Sequence, residues 1–151
     1  MPTFTITSDD TLTLYDRVFN DFADGDTSNV TFPNNMVEAK TGKNQNTIFA
    51  KNAAGDNCTL ALRIIRGSSD DQFLQEKIAA MELDFVSVQL ATGEFVKRLG
   101  DGDGGVKRDV YTMLGGMIQR KPDGRENVDG AIDQGISIYT LIFANARRSI
   151  Q

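Results

Sequence analysis

Few side chains in this sequence have the chemistry to act on a substrate. There is no His, so no imidazole base, Ser-His-Asp triad or His-ligated metal can be assembled from it. The single Cys, Cys58, has no partner for an intrachain disulfide or a Cys-cluster zinc site. As a nucleophile it would need a base such as His, and it opens an apolar run, so it reads as a small structural residue. What remains is carboxylate chemistry. Asp24 with Asp26, and Asp70 with Asp71, could pair for acid–base work, although Asp70 and Asp71 have a simpler role as charges at a helix N-terminus. Asp101-Gly102-Asp103-Gly104-Gly105 begins like a calcium loop. Its fifth position is Gly105, and its twelfth is Thr112 where a Glu belongs, so it reads as a solvated turn. The Gly100–Gly105 run precedes a strand and is acidic, which makes it a poor cradle for phosphate. The expectation is a protein with no catalytic residues, no cofactor and no metal.

The elements that would position any site are mostly strands. With 151 residues, 40% of them hydrophobic and 25% charged, the chain is sized and composed for one globular domain spanning residues 1–151. Period-2 alternation predicts short strands over Thr3–Thr7, Thr11–Val18 and Val30–Phe32, and a longer one over Cys58–Ile65, where Leu60, Leu62 and Ile64 share a face. Val37–Thr41 and Asn46–Lys51 read as a hairpin with Gly42-Lys43-Asn44-Gln45 at its tip. Asp24-Gly25-Asp26, Asn52–Asn57 and Lys121–Gly124 are turn signals. A helix is predicted over Ser69–Leu83, with Ser69 and Gln72 at capping-box spacing and Leu74, Ile78 and Met81 forming the apolar stripe. Strands are predicted again over Phe85–Ala91, Val106–Gln119 and Gln134–Ala144, and Gly115-Gly116 marks a bulge or a close backbone approach. The fold class is α+β and mainly β: an antiparallel sandwich or barrel-like sheet flanked by one α-helix.

Two features point outward from a single chain. The last strand is apolar on both faces, with Ile136, Ile138 and Ile142 on one and Tyr139, Leu141 and Phe143 on the other. Such a strand needs cover on each side, from a second sheet or from a neighbouring subunit. Basic residues fall in pairs, among them Arg147 and Arg148, and are candidates for inter-subunit ion pairs or solvated strand ends. The net charge of −5 disfavours binding nucleic acid or an anionic membrane through bulk charge. The first residues lack a basic segment and a continuous apolar run, so no signal peptide is expected there.

The order of the motifs resembles that of tail tube proteins of long-tailed, especially contractile, bacteriophages. The residues that carry the likeness are Gly42–Asn52, Gly55, Leu60–Asp71, Lys97-Arg98, Asp101–Gly104, Gly115-Gly116 and Ile136–Ala144. Tube proteins of type VI secretion and phage-like bacteriocins are related in the same way. The resemblance implies a subunit of stacked hexameric rings that form the channel for DNA ejection. Phage DNA would pass through the lumen without specific binding, and sheath, baseplate or tape-measure proteins would be the partners. Location in the virion tail, after synthesis in the host cytoplasm, and no membrane binding by the subunit are implied as well. A hairpin or loop would reach the next ring, which makes Gly42, Lys43, Asn44 and Gln45, with Asn52, Gly55 and Asp56, the inter-ring candidates. A lumen wall of negative charge would let the duplex slide. The alternative of another class is a monomeric β-barrel that binds a small ligand in an apolar interior.

Overall fold

The computed structural model describes residues 3–151 apart from 24, 26, 125, 127, 129 and 131; the Asp24–Asp26 pair lies outside the described residues. The described residues form nine strands and one α-helix: β1 (Thr5–Leu14), β2 (Arg17–Phe19), β3 (Ser28–Thr31), β4 (Val37–Thr41), β5 (Thr47–Lys51), β6 (Cys58–Ile65), α1 (Ser69–Leu83), β7 (Ala91–Gly100), β8 (Val106–Arg120) and β9 (Ile136–Ile150). Seven strands form one sheet in the order β2-β1-β7-β8-β9-β6-β3, with every neighbouring pair antiparallel. The sheet curls into a half-barrel. The class is α+β and mainly β, as expected. The sheet does not close on itself, because β2 and β3 are its two borders; a closed barrel around a ligand is not what these strands build.

The alternation of β6 decides where the core lies. Cys58, Leu60, Leu62 and Ile64 are fully buried, and Leu12, Leu14, Met113, Tyr139, Leu141 and Phe143 from three other strands join them on the same face. Helix α1 lies over this face through Leu74 and Ile78. Two glycines let the sheet pack tightly. Gly115 takes φ 66°, where the β7–β8 register slips between Ala91 and Gly93, so the expected bulge is present. At Gly116 an added Cβ would stand 2.3 Å from the Phe143 ring, so the close approach is present too.

Helix α1 has the predicted bounds, but its cap is one residue earlier. Ser68 Oγ accepts the Asp71 N–H at 3.2 Å, while Ser69 Oγ donates to Asp21 Oδ2 at 2.9 Å. Asp70 is buried and accepts from Arg17 Nε at 3.1 Å and from the backbone N–H groups of Asn20 and Asp21, each at 2.9 Å. Asp71 accepts the Tyr139 hydroxyl proton and the Gly67 N–H. These carboxylates tie the start of the helix to β2, to the segment after β2 and to β9. Charge-assisted bonds of this kind are stronger than neutral ones.

Three strand expectations change. The Thr3–Thr7 and Thr11–Val18 segments do not form separate strands. They merge into β1, with an irregularity between Ile6 and Asp10, and the chain reverses at Tyr15-Asp16, both at positive φ of 52° and 61°. That is the geometry of a primed hairpin turn. The Phe85–Ala91 stretch is not a strand: Asp84 Oδ1 accepts the Val86 N–H at 3.2 Å, which bends the chain after the helix, and pairing begins only at Ala91. The last strand starts at Ile136 rather than Gln134, which belongs to a 3-10 turn. It runs on to Ile150 because β8 continues to pair with it through Asp109↔Ile150.

Candidate functional site

The chemistry-bearing residues are occupied with holding the fold. Cys58 is fully buried, and burial pushes its thiol up to about 11. Tyr139 is raised by burial and by its bond to Asp71; its hydroxyl also accepts from Gln75 Nε2 at 2.8 Å. Asp101 Oδ1 accepts the N–H groups of Asp103 and Gly105 at 2.8 and 2.9 Å, and these backbone donors hold its carboxyl below the ordinary range. The acidic loop is therefore a turn closed by its own first carboxylate. Among the described residues no three His, Cys, Asp or Glu side chains group as metal ligands. No helix among them is long and apolar enough to cross a membrane.

Surface rather than chemistry distinguishes this molecule. Among the described residues, no helix or second sheet covers the face of the sheet turned away from α1. The register sets Arg63 beside Ile138 and Thr59 beside Ile142, Met117 beside Ile142 and Thr112 beside Arg147, and Arg98 beside Arg108. Ile65, Leu114, Ile138 and Ile142 are exposed there. The two-sided apolar pattern of β9 is thus realised, with Tyr139, Leu141 and Phe143 in the core and Ile138 and Ile142 in the open. The strand residues of β6 to β9 on this face include Arg63, Arg98, Arg108, Arg120 and Arg147 against the single carboxylate Glu94. In a chain of net charge −5, the strand residues of this side are cation-rich.

The second surface is the β4–β5 hairpin, present with the expected strands and tip. All ten of its strand residues are exposed, including Val37, Ile48 and Phe49. A two-stranded hairpin is marginal in water without a packing partner. The tip residues Gly42, Lys43, Asn44 and Gln45 stand in solvent, and the Gly42 N–H donates to the Asn46 carbonyl at 2.8 Å. The other inter-ring candidates divide. Asp56 is exposed. Asn52 caps the 3-10 turn Ala53–Asp56 by accepting the Ala54 N–H at 3.1 Å. Gly55 is buried with so little room that a Cβ would meet the Met36 backbone at 2.8 Å. Asn52 and Gly55 root the hairpin.

The two ion-pair candidates also separate. Arg148 lies on the helix side and makes a bidentate pair with Asp109, Nε and Nη2 to the two carboxylate oxygens at 2.9 and 2.8 Å. Its guanidinium stacks over Tyr111 at 5.5 Å, and its hydrogen bond keeps the Asp109 carboxyl below the ordinary range. Arg147 points the other way, into a shallow groove of about 240 Å³ shared with Thr112, Leu114 and Asn145. Sequence reasoning missed the exposed apolar turn after α1, in which Leu83, Phe85 and Val86 are 89%, 64% and 92% exposed. Phe85 and Val86 fall in the stretch whose alternation predicts a strand, and Leu83 ends the predicted helix.

No protein-family model and no curated protein matches the chain. Among solved structures, it is similar over nearly its whole length to two proteins that end tubes. One is the sheath/tube terminator of an extracellular contractile injection system, PVC, in the extended state: TM-score 0.57, 10% identity, 95% of this chain and 94% of that one. The other is the tube-terminating cap of the anti-feeding prophage: TM-score 0.59, 12% identity, 97% of this chain and 91% of that one. The chain therefore has the fold found in tube-ending proteins of contractile injection systems.

Proposed function

We propose that this protein is a ring-forming, non-catalytic structural subunit of the tube assembly of a contractile tail, seated where the tube ends. The observation that carries this reading is the match of one whole domain to two tube-ending proteins, each of nearly the same extent. The uncovered sheet face and the unsupported hairpin add to it, because both leave apolar surface in water that self-assembly would remove. Tube and sheath subunits are the partners in this reading, and the tail is the location.

A second reading is the repeating tube subunit, with stacked hexameric rings enclosing the path of ejected DNA. The hairpin favours it: an arm with no cover from its own chain is suited to reach a neighbouring ring through Gly42–Gln45. Electron microscopy of the purified protein separates the two. Single rings that bind the end of a tube support the terminator. Long stacks with a continuous bore support the tube subunit. A protein that stays monomeric at all concentrations, alone and with tube and sheath subunits, overturns both.

A further inference from the structure

The groove at Arg147 and the turn after α1 are complementary. The groove offers an exposed guanidinium and the exposed side chain of Leu114, and it is lined by Asn145, whose Oδ1 is a buried acceptor with no donor among the described residues. Arg147 has no ion pair with any described residue, unlike Arg148 beside it. A matching ligand therefore needs a carboxylate, a hydrogen-bond donor and an apolar side chain close together. The turn Leu83-Asp84-Phe85-Val86 has them: the Asp84 carboxylate, backbone N–H groups, and three apolar side chains held in water. Asp84 uses one oxygen to accept the Val86 N–H, and the second oxygen is available to a guanidinium.

We infer that the Leu83–Val86 turn of one copy seats in the Thr112–Arg147 groove of the next copy, with Asp84 paired to Arg147. This deepens the ring reading proposed above and rests on it. The groove lies on the open face and the turn at the end of the helix that covers the opposite face, and both stay exposed in a single chain. The two patches differ, so the contact is head-to-tail, and a repeated head-to-tail contact closes into a ring when its rotation permits. On the open face the Arg98–Arg108 pair lies four positions along the strands from Thr112, the cross-strand neighbour of Arg147, while Glu82 at the end of α1 pairs with Lys121 and leaves Asp84 as the carboxylate for Arg147. Glu94, two strands from Arg147 by register, is the one carboxylate among the strand residues of that face.

The test is a charge exchange, read by sedimentation velocity and electron microscopy of the full chain. Arg147→Glu and Asp84→Arg are each expected to weaken self-association by roughly tenfold or more; the melting temperature of the monomer is expected to be unchanged in Arg147→Glu and slightly lowered in Asp84→Arg, which loses the exposed bond to the Val86 N–H. An equimolar mixture of the two variants is expected to assemble again, since every Arg–Asp or Glu–Arg contact in alternating order is then attractive. Wild-type rings that persist in both single variants overturn the contact and leave the ring reading intact. Loss of rings without recovery in the mixture also overturns the contact. A wild-type chain that never self-associates, alone or with tube and sheath subunits, overturns the contact and the ring reading together.

Discussion

The two faces of the seven-stranded sheet obey different rules although the same strands build them. Leu141 and Ile142 are neighbours on β9, yet Leu141 is fully buried and Ile142 is 39% exposed. On the helix side, the residues under α1 interlock: Phe143 leaves no room for a Cβ at Gly116, and Tyr139 threads its hydroxyl between Asp71 and Gln75. On the open side, Thr, Ala, Ile and Arg alternate with no layer above them. The first face is specified to fold one chain. The second leaves apolar and arginine side chains at the surface, which the proposed assembly would cover. Strand alternation alone does not tell these cases apart, because an isoleucine that awaits a neighbour resembles one that already has it.

Substitution at adjacent positions tests the contrast most sharply. Leu141→Ala is expected to destabilise the isolated chain by about 2–5 kcal/mol, and Ile142→Ala by less than about 1 kcal/mol, measured by denaturant unfolding of the monomer. Equal losses would mean that the open face is covered within the single chain. Gly116→Ala should cost about 1–3 kcal/mol by forcing the Phe143 ring out of place; an unchanged midpoint would show that the ring has room to move. Tyr139→Phe is expected to cost about 1–3 kcal/mol, because buried Asp71 loses the donor to one of its two side-chain oxygens and keeps only the Gly67 N–H on the other.

The pH dependence follows from the same buried face. Burial raises Cys58 to about 11 from 9.0, and burial also raises Tyr15 and Tyr139. All three are neutral when protonated, and their folded values lie above their unfolded ones. Their contribution is complete below the unfolded values and is lost as pH rises through the folded ones. Thermal stability should hold to about pH 8 and fall above about pH 9, with the first part of the fall reduced in Cys58→Ala. A flat profile to pH 11 would remove this account. The smallest effect belongs to the hairpin: Phe49→Ser should move the monomer's stability by less than about 0.5 kcal/mol, and a larger loss would show that the hairpin packs on its own chain.

Local patterns read well where one face of one element is buried. Strand β6 and helix α1 have the predicted bounds, because strict alternation and a stripe at helical spacing each report burial directly. The hairpin was legible for a different reason: its tip is turn chemistry. The failures share a cause in long-range pairing. Strand β7, with Lys97 and Arg98 at its far end, shows no period that announces it, and it exists because β1 and β8 flank it. The reversal at Tyr15-Asp16 uses positive φ without Gly or Asn, so no turn signal marks it. Of the candidate contact residues, Arg147 was visible as a charge, but which face it occupies depends on register with Thr112. Leu114, Asn145 and the Leu83–Val86 turn became visible only through exposure, which sequence does not encode locally.

The hairpin tip has a practical use. Lys43 and Asn44 sit in a loop whose ends are already held together by the Gly42 N–H to Asn46 carbonyl bond at 2.8 Å, beyond strands that carry none of the core. Exposed tips of this kind tolerate inserted sequence. A short epitope or fluorogenic tag placed between Lys43 and Asn44 would leave the remainder of the chain undisturbed and would mark, under the microscope, the direction in which each subunit extends its arm.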